Sequence, residues 1–195
     1  MTIQKRRERE RAERERLIVT AARELAEAEG WDAVTTRRLA DEIEYSQPVL
    51  YSHFKGKGAI MAAVAVQGCE ELAGELRAAR TAAGSAREAL AAVARAYTAF
   101  ARRRPALYDV IFTLDVDLPF ATPEAPAALQ DAFGELLQAV QPIAAEGEDM
   151  GALTETYWAG LHGLVTLMRS GRLPEEAHER RLGLFIGHFV PQGTD

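Results

Sequence analysis

Thr35-Thr-Arg-Arg-Leu-Ala-Asp-Glu-Ile-Glu-Tyr-Ser-Gln-Pro-Val-Leu-Tyr-Ser-His-Phe-Lys-Gly-Lys57 reads as two short helices joined by a tight turn. Thr35 is a good N-cap, and Val34 before it with Leu39 inside the helix makes a hydrophobic staple, so a helix is predicted over Thr36 to Ile43. The pattern repeats after about three residues: Ser46 stands at a second N-cap, with Tyr45 and Leu50 as its staple. Pro48 falls in the first turn, where a missing N–H costs nothing. In the second helix Leu50 and Phe54 are predicted to face inward, which leaves Gln47, Val49, Tyr51, Ser52 and His53 outside.

Two short helices in this arrangement form the geometry that lays the second helix in the DNA major groove. Glutamine can pair with an adenine edge and valine can touch a thymine methyl, while tyrosine, serine and histidine can donate to phosphates. Thr36 and Arg37 open the first helix, with amide donors and a positive charge suited to phosphate. Lys55 and Lys57 follow the second helix and are two of only three lysines in the chain.

Working outward, helical periodicity runs through almost the whole of the 195 residues, 36 of which are alanine. About nine helices and no sheet are predicted. The first runs from about Arg9 to Glu29 and is closed by Gly30. Its leading segment, Lys5 to Arg16, holds seven cations and four carboxylates, either a solvated helix end or an arm that touches phosphate. A fourth helix spans Lys57 to about Arg80, and Ser85 with Glu88 forms a capping box for a fifth ending near Arg104. Pro105 opens a short sixth. Asp115 to Pro126, with three prolines, is a loop, and a seventh helix carries Leu129, Phe133, Leu136, Val140 and Ile143. The last two are placed at about Asp149 to Ser170 and Pro174 to Val190.

Charge separates the two ends of the chain. The net −6, from 23 basic and 29 acidic side chains, divides into +4 over residues 1–104 and −10 beyond. A mildly acidic total is therefore compatible with a polyanion bound at the N-terminal half. No apolar run reaches the roughly 20 residues that span a bilayer, and the opening Arg/Glu alternation lacks a signal-peptide core, so a cytoplasmic protein is expected. Cys69 is the single cysteine, which excludes an internal disulfide. The four histidines stand far apart with no metal-binding spacing, and there is neither a phosphate-cradling glycine loop nor a nucleophile turn, so no metal, no cofactor and no enzyme activity are expected.

The stretch from Ala33 to Lys57 resembles the DNA-binding signature of the TetR family of bacterial repressors, Gln47-Pro-Val-Leu-Tyr-Ser-His53 being similar to its recognition helix. That resemblance implies DNA contacts at Thr36, Arg37, Gln47, Pro48, Val49, Tyr51, His53 and Lys57, and Lys55 joins them as a neighbouring cation. The sequence departs from the family at Glu44-Tyr45, where a glycine and a small aliphatic residue are usual. Arg104-Pro-Ala-Leu-Tyr-Asp-Val-Ile-Phe112 resembles the family's sixth helix. Tyr157-Trp-Ala-Gly-Leu-His-Gly163 is similar to the Trp-His-Gly motif of one group of its C-terminal regulatory domains. The family resemblance implies an N-terminal three-helix DNA-binding unit, residues 1–57, and a helical ligand-binding and dimerisation domain, residues 58–195.

Two further sites are expected in the second part. Phe100, Tyr108, Phe112, Phe133, Tyr157, Trp158 and His162 offer aromatic surface with polar handles for an apolar or aromatic effector, or else simply fill the core. Leu161, Leu164, Val165 and Met168, with Leu184, Phe185 and His188, form apolar faces on the last two helices that suit half of a four-helix bundle in a homodimer, or packing within one subunit. The expected function is a dimeric repressor of a palindromic operator, released by a small molecule; a constitutive DNA-binding regulator is the alternative.

Overall fold

The computed structural model describes residues 3–120 and 122–190. These form nine α-helices and no strand: α1 Ile3–Glu29, α2 Thr36–Glu42, α3 Gln47–His53, α4 Lys57–Thr81, α5 Ala86–Arg103, α6 Pro105–Phe112, α7 Ala127–Val140, α8 Met150–Arg169 and α9 His178–Phe189. They divide into two compact units. Among the described residues, the first comprises 3–68, 104–120 and 122–126, the second 69–103 and 127–190. Helix α4 contributes its first turns to one unit and its last turns to the other.

Most helix boundaries follow the local signals. Gly30 takes φ +84° and its N–H reaches the Ala26 carbonyl at 2.8 Å, a left-handed cap that no β-carbon obstructs. Thr35 caps α2 by accepting the Arg38 N–H at 3.1 Å. In the capping box before α5, Ser85 accepts the Glu88 N–H at 3.2 Å, while the Glu88 carboxylate takes the N–H of Gly84 at 2.9 Å.

Three boundaries differ from the sequence expectation, each for a local reason. Helix α1 begins at Ile3 instead of Arg9, supported by the i,i+4 ion pairs Arg6–Glu10 at 3.0 Å and Arg11–Glu15 at 2.8 Å. Ile143 lies outside α7 on a 3₁₀ turn, Gln141–Ile143, because Pro142 has no N–H to continue the α-helical ladder. Helix α9 starts at His178, after a 3₁₀ turn at Glu175–Ala177 that takes up the first residues following Pro174.

Each unit has its own core. In the first, Ile18, Ala22 and Leu25 of α1 are buried along with Leu39, Leu50, Ile60, Leu107 and Tyr108. Leu50 is fully buried, so it anchors α3 with a contribution of about 2 kcal/mol. In the second, Leu76, Leu90, Val93, Tyr97, Phe100, Leu136, Tyr157 and Ile186 are buried. Gly160 of α8 admits the Phe185 ring of α9, where an added β-carbon would stand 2.3 Å from the ring.

Candidate nucleic-acid interface

The turn between α2 and α3 sets the direction of α3. Glu44 takes φ +58°, the one non-glycine residue with positive φ among the described residues. The chain there is held by the Tyr45 N–H bonded to the Ala40 carbonyl at 2.8 Å and the Glu44 N–H to Asp41 at 3.3 Å. A left-handed L-residue costs about 1 kcal/mol, so the turn stores strain at the position where a glycine would carry none. Ser46 is the N-cap residue of α3, yet its hydroxyl makes no cap bond. Pro48 supplies no donor, and the amides of Val49 and Leu50 bond the Ser46 carbonyl at 3.0 and 3.2 Å instead.

With Leu50 as anchor, the opposite side of α3 is open. Gln47, Pro48, Val49, Tyr51 and Ser52 are exposed, Tyr51 at 52% of its full area. The Tyr51 hydroxyl lies 3.4 Å from that of Thr36, joining the outer face of α3 to the first turn of α2, while Arg37 beside it is exposed. Arg38 turns the other way and makes a two-pronged bond with Glu29 at the end of α1, which holds that carboxyl below its usual range. Lys55 is exposed. The Lys57 ammonium, half-buried, donates to the Trp31 carbonyl and keeps two further protons for another acceptor. The His53 side chain is only 7% exposed, with Nδ1 3.3 Å from the Glu15 carboxylate of α1. Phe54 is half-buried. Five outward residues of α3, the opening of α2 and Lys55 thus form one exposed surface, with Lys57 and His53 tied into its edge.

Two contacts that the sequence patterns did not signal tie α6 into this unit. The Glu27 carboxylate accepts the first-turn amides of α6, Ala106 at 3.2 Å and Leu107 at 3.0 Å, and the Trp31 indole N–H donates to the Ala106 carbonyl at 2.8 Å. Glu27 therefore does for α6 what an N-cap side chain usually does, from a helix 79 residues away. No local spacing encodes such a contact.

The aromatic candidates fall in different places. Tyr108 and Phe112 belong to the first unit, their ring centroids 5.0 Å apart and tilted by 57°. In the second unit Phe100 and Tyr157 are fully buried, and the Tyr157 hydroxyl is spent on the Leu90 carbonyl at 2.7 Å. Burial also raises the Tyr157 hydroxyl well above the usual tyrosine range. Phe133, Trp158 and His162 are half-buried, with the Trp158 indole bonded to the Tyr97 hydroxyl at 3.0 Å. Burial, then Arg169, lowers the His162 imidazole below its ordinary range. Of the apolar residues on α8 and α9, Leu161 and Val165 are buried inside the chain itself, and Phe185 packs on Gly160 and stacks with Tyr157 at 5.8 Å. Leu164 and Met168 are half-buried, while Leu184 and His188 are exposed.

Helices alone among the described residues, with a helix-turn-helix whose second helix shows a polar and aromatic face to solvent, give the geometry of a DNA-binding transcriptional regulator. Residues 18–64 match the family described as "Bacterial regulatory proteins, tetR family", and residues 90–184 match "Tetracyclin repressor-like, C-terminal domain". The chain belongs to the TetR family of transcriptional regulators. It is 28% identical over 155 residues to the uncharacterized HTH-type transcriptional regulator Rv0681 of Mycobacterium tuberculosis, covering 79% of this chain and 69% of that one. It is 44% identical over 50 residues to the class D tetracycline repressor of Escherichia coli, 26% of this chain and 23% of the relative. A solved protein of unknown function from Rhodococcus sp. RHA1 shares the fold at a TM-score of 0.76, with 24% identity over 90% of this chain and 92% of that one.

Proposed function

We propose that this protein is a homodimeric repressor that binds a palindromic operator through α3 and is released by a small molecule. The observation that carries the reading is the exposed face of α3, Gln47, Val49 and Tyr51 standing outward over a fully buried Leu50. Gln47 and Val49 read base edges; Pro48 packs against the backbone beside them. Tyr51, Thr36, Arg37, Lys55, Lys57 and His53 serve phosphates, the last two from the rim. Functionally, residues 1–57 engage DNA and residues 58–195 regulate.

Pairing of two chains suits the open parts of α8 and α9: Leu164, Met168, Leu184 and His188, with Gly163, Gly183 and Gly187 bare enough for close helix approach. Two recognition helices then meet half-sites about 34 Å apart, and a change of a few Å in their spacing releases DNA. The effector is apolar or aromatic and sits in the second unit against Phe133, Trp158 and His162. It acts by binding the two states of the dimer with different affinity, and α4, shared by both units, is the continuous route between them. No cofactor, metal or catalysis is part of this function.

A second reading, a constitutive regulator without an effector, is favoured by the internal bonds of the Tyr157 hydroxyl and the Trp158 indole, which leave those polar groups engaged. Gel-shift titration on the duplex upstream of the protein's own gene tests the DNA claim: Tyr51→Ala and Lys57→Ala each weaken binding by about tenfold. Unchanged binding in both variants contradicts the site. A small-molecule library that neither raises thermal stability nor releases the duplex decides for the constitutive reading.

A further inference from the structure

The N-terminal part of α1 is a second candidate surface. From Ile3 to Arg14 the helix carries no buried residue, and the first buried position is Ile18. It stays helical through this stretch, reaching roughly 18 Å beyond Glu15 at 1.5 Å per residue. Glu15 marks where it leaves the helix-turn-helix, because its carboxylate lies 3.3 Å from His53, the last residue of α3. The overhang therefore begins beside the C-terminal end of α3.

Helical spacing then fixes which side chains overhang. The buried residues Ile18, Ala22 and Leu25 lie on the stripe of α1 that faces its own three-helix unit. Continued backwards in steps of four and three, the same stripe meets Arg14, Arg11 and Arg7. Where the unit ends, the core-facing stripe turns from aliphatic to arginine. Arg7 and Arg14 make no ion pair among the described residues. Arg11 gives one nitrogen to Glu15 at 2.8 Å and keeps the rest of its guanidinium. Of the carboxylates in the segment, Glu10, paired with Arg6, and Glu13 lie off this stripe, while Glu8 and Glu15 fall at its edge, in line with the buried Val19 and Ala26.

We propose that Arg7, Arg11 and Arg14 form a clamp for the DNA backbone flanking the half-site read by α3, an inference that rests on the DNA-binding reading above. Charge complementarity and continuity with the α3 surface both select a polyanion running past His53. The three arginines span about 10 Å along α1, enough to meet successive phosphates of one strand. Phosphate contacts of this kind add affinity and salt dependence without adding sequence preference.

The test uses the full-length chain with a duplex selected by the wild-type protein from a random-sequence pool, with binding measured from 50 to 200 mM salt. In the triple variant Arg7→Gln, Arg11→Gln, Arg14→Gln, the slope of log affinity against log salt falls by about 0.9 for each phosphate no longer neutralised, so salt sensitivity over this range shrinks roughly threefold per phosphate. The preferred sequence is retained, and trimming the duplex back to the half-sites removes the difference between variant and wild type. The matching Arg→Lys triple variant keeps the slope, which separates charge from helix integrity. An unchanged slope in the Gln variant overturns the clamp, as does an equal loss in the Lys variant. If instead the Gln variant loses only adhesion to anionic phosphatidylserine vesicles, the arginines belong to a membrane surface and the clamp is overturned. A wild-type chain that selects no sequence at all defeats the DNA-binding reading itself, a result distinct from these.

Discussion

The two units spend their polar groups in opposite directions. In the first, the side chains on the outer face of α3 project into solvent, and Arg7, Arg14, Arg37 and Lys55 stand exposed. In the second, charge is turned inward: Glu135 of α7, 2% exposed, takes Arg77 at 2.7 Å and Arg80 at 2.9 and 2.7 Å. Tyr97, Trp158, Tyr157 and Leu90 likewise satisfy one another. A surface meant to meet a polyanion keeps its donors available. A helical core that must hold one arrangement closes them on internal acceptors, because an unpaired buried polar group is expensive.

Breaking the inward arrangement has the largest expected effect. Glu135→Ala leaves Arg80, 21% exposed, without its carboxylate, whereas Arg77 at 57% can rehydrate. Stability falls by about 3 kcal/mol in chemical denaturation. A loss under about 1 kcal/mol would mean that the carboxylate adds little to the packing of α4 on α7. In the first unit the matching perturbation is local and opposite in sign. Glu44→Gly relieves the φ +58° strain and raises the denaturation midpoint, a gain of about 1 kcal/mol. Destabilisation by this change would show that the Glu44 side chain holds the turn.

The smallest effect is a pH dependence in the second unit. His178 is buried, bonded through Nε2 to the Thr98 hydroxyl at 3.0 Å, with Nδ1 unpartnered, and burial lowers its pKa below the ordinary value. Glu179 opposes that shift, and Arg102 and Arg181 add to it. The unfolded chain thus binds a proton more readily than the folded one, so stability is full above about pH 6.5 and declines as pH falls through that value. Thermal melts from pH 7.5 to 5.5 show a shallower decline in His178→Gln. His162, lowered in the same direction, maintains a residual slope. Identical slopes in variant and wild type would show that His178 does not carry the pH dependence.

The same contrast explains how far the sequence could be read. Elements set by neighbours within one turn of helix were legible: the Thr35 cap, Gly30 and the outward Gln47, Val49, Tyr51 and Ser52 of α3, whereas His53, expected outside, turns its side chain in beside Glu15 of α1. The arrangement of Glu27 under α6 and of Glu135 between Arg77 and Arg80 was not, since these partners lie 79 and between 55 and 58 residues apart. The aromatic and apolar candidates of the second unit share that difficulty. Period alone places Leu161 and Leu164 on neighbouring faces of α8, and only the packing of α8 against other helices, chiefly α7 and α5, decides that the first is buried and the second half-open. Proline also ended α7 before Ile143.

Selection from a random-sequence duplex pool, with wild type and the double variant Gln47→Ala, Tyr51→Ala compared at one fixed salt concentration, tests the central claim most directly. The expected result is that the wild-type chain enriches a two-fold symmetric site at least ~1,000-fold over bulk duplex, and that the double variant loses the enrichment while retaining weak, salt-sensitive binding. Equal enrichment by both proteins would contradict the claim, because α3 would then not be the helix that reads DNA.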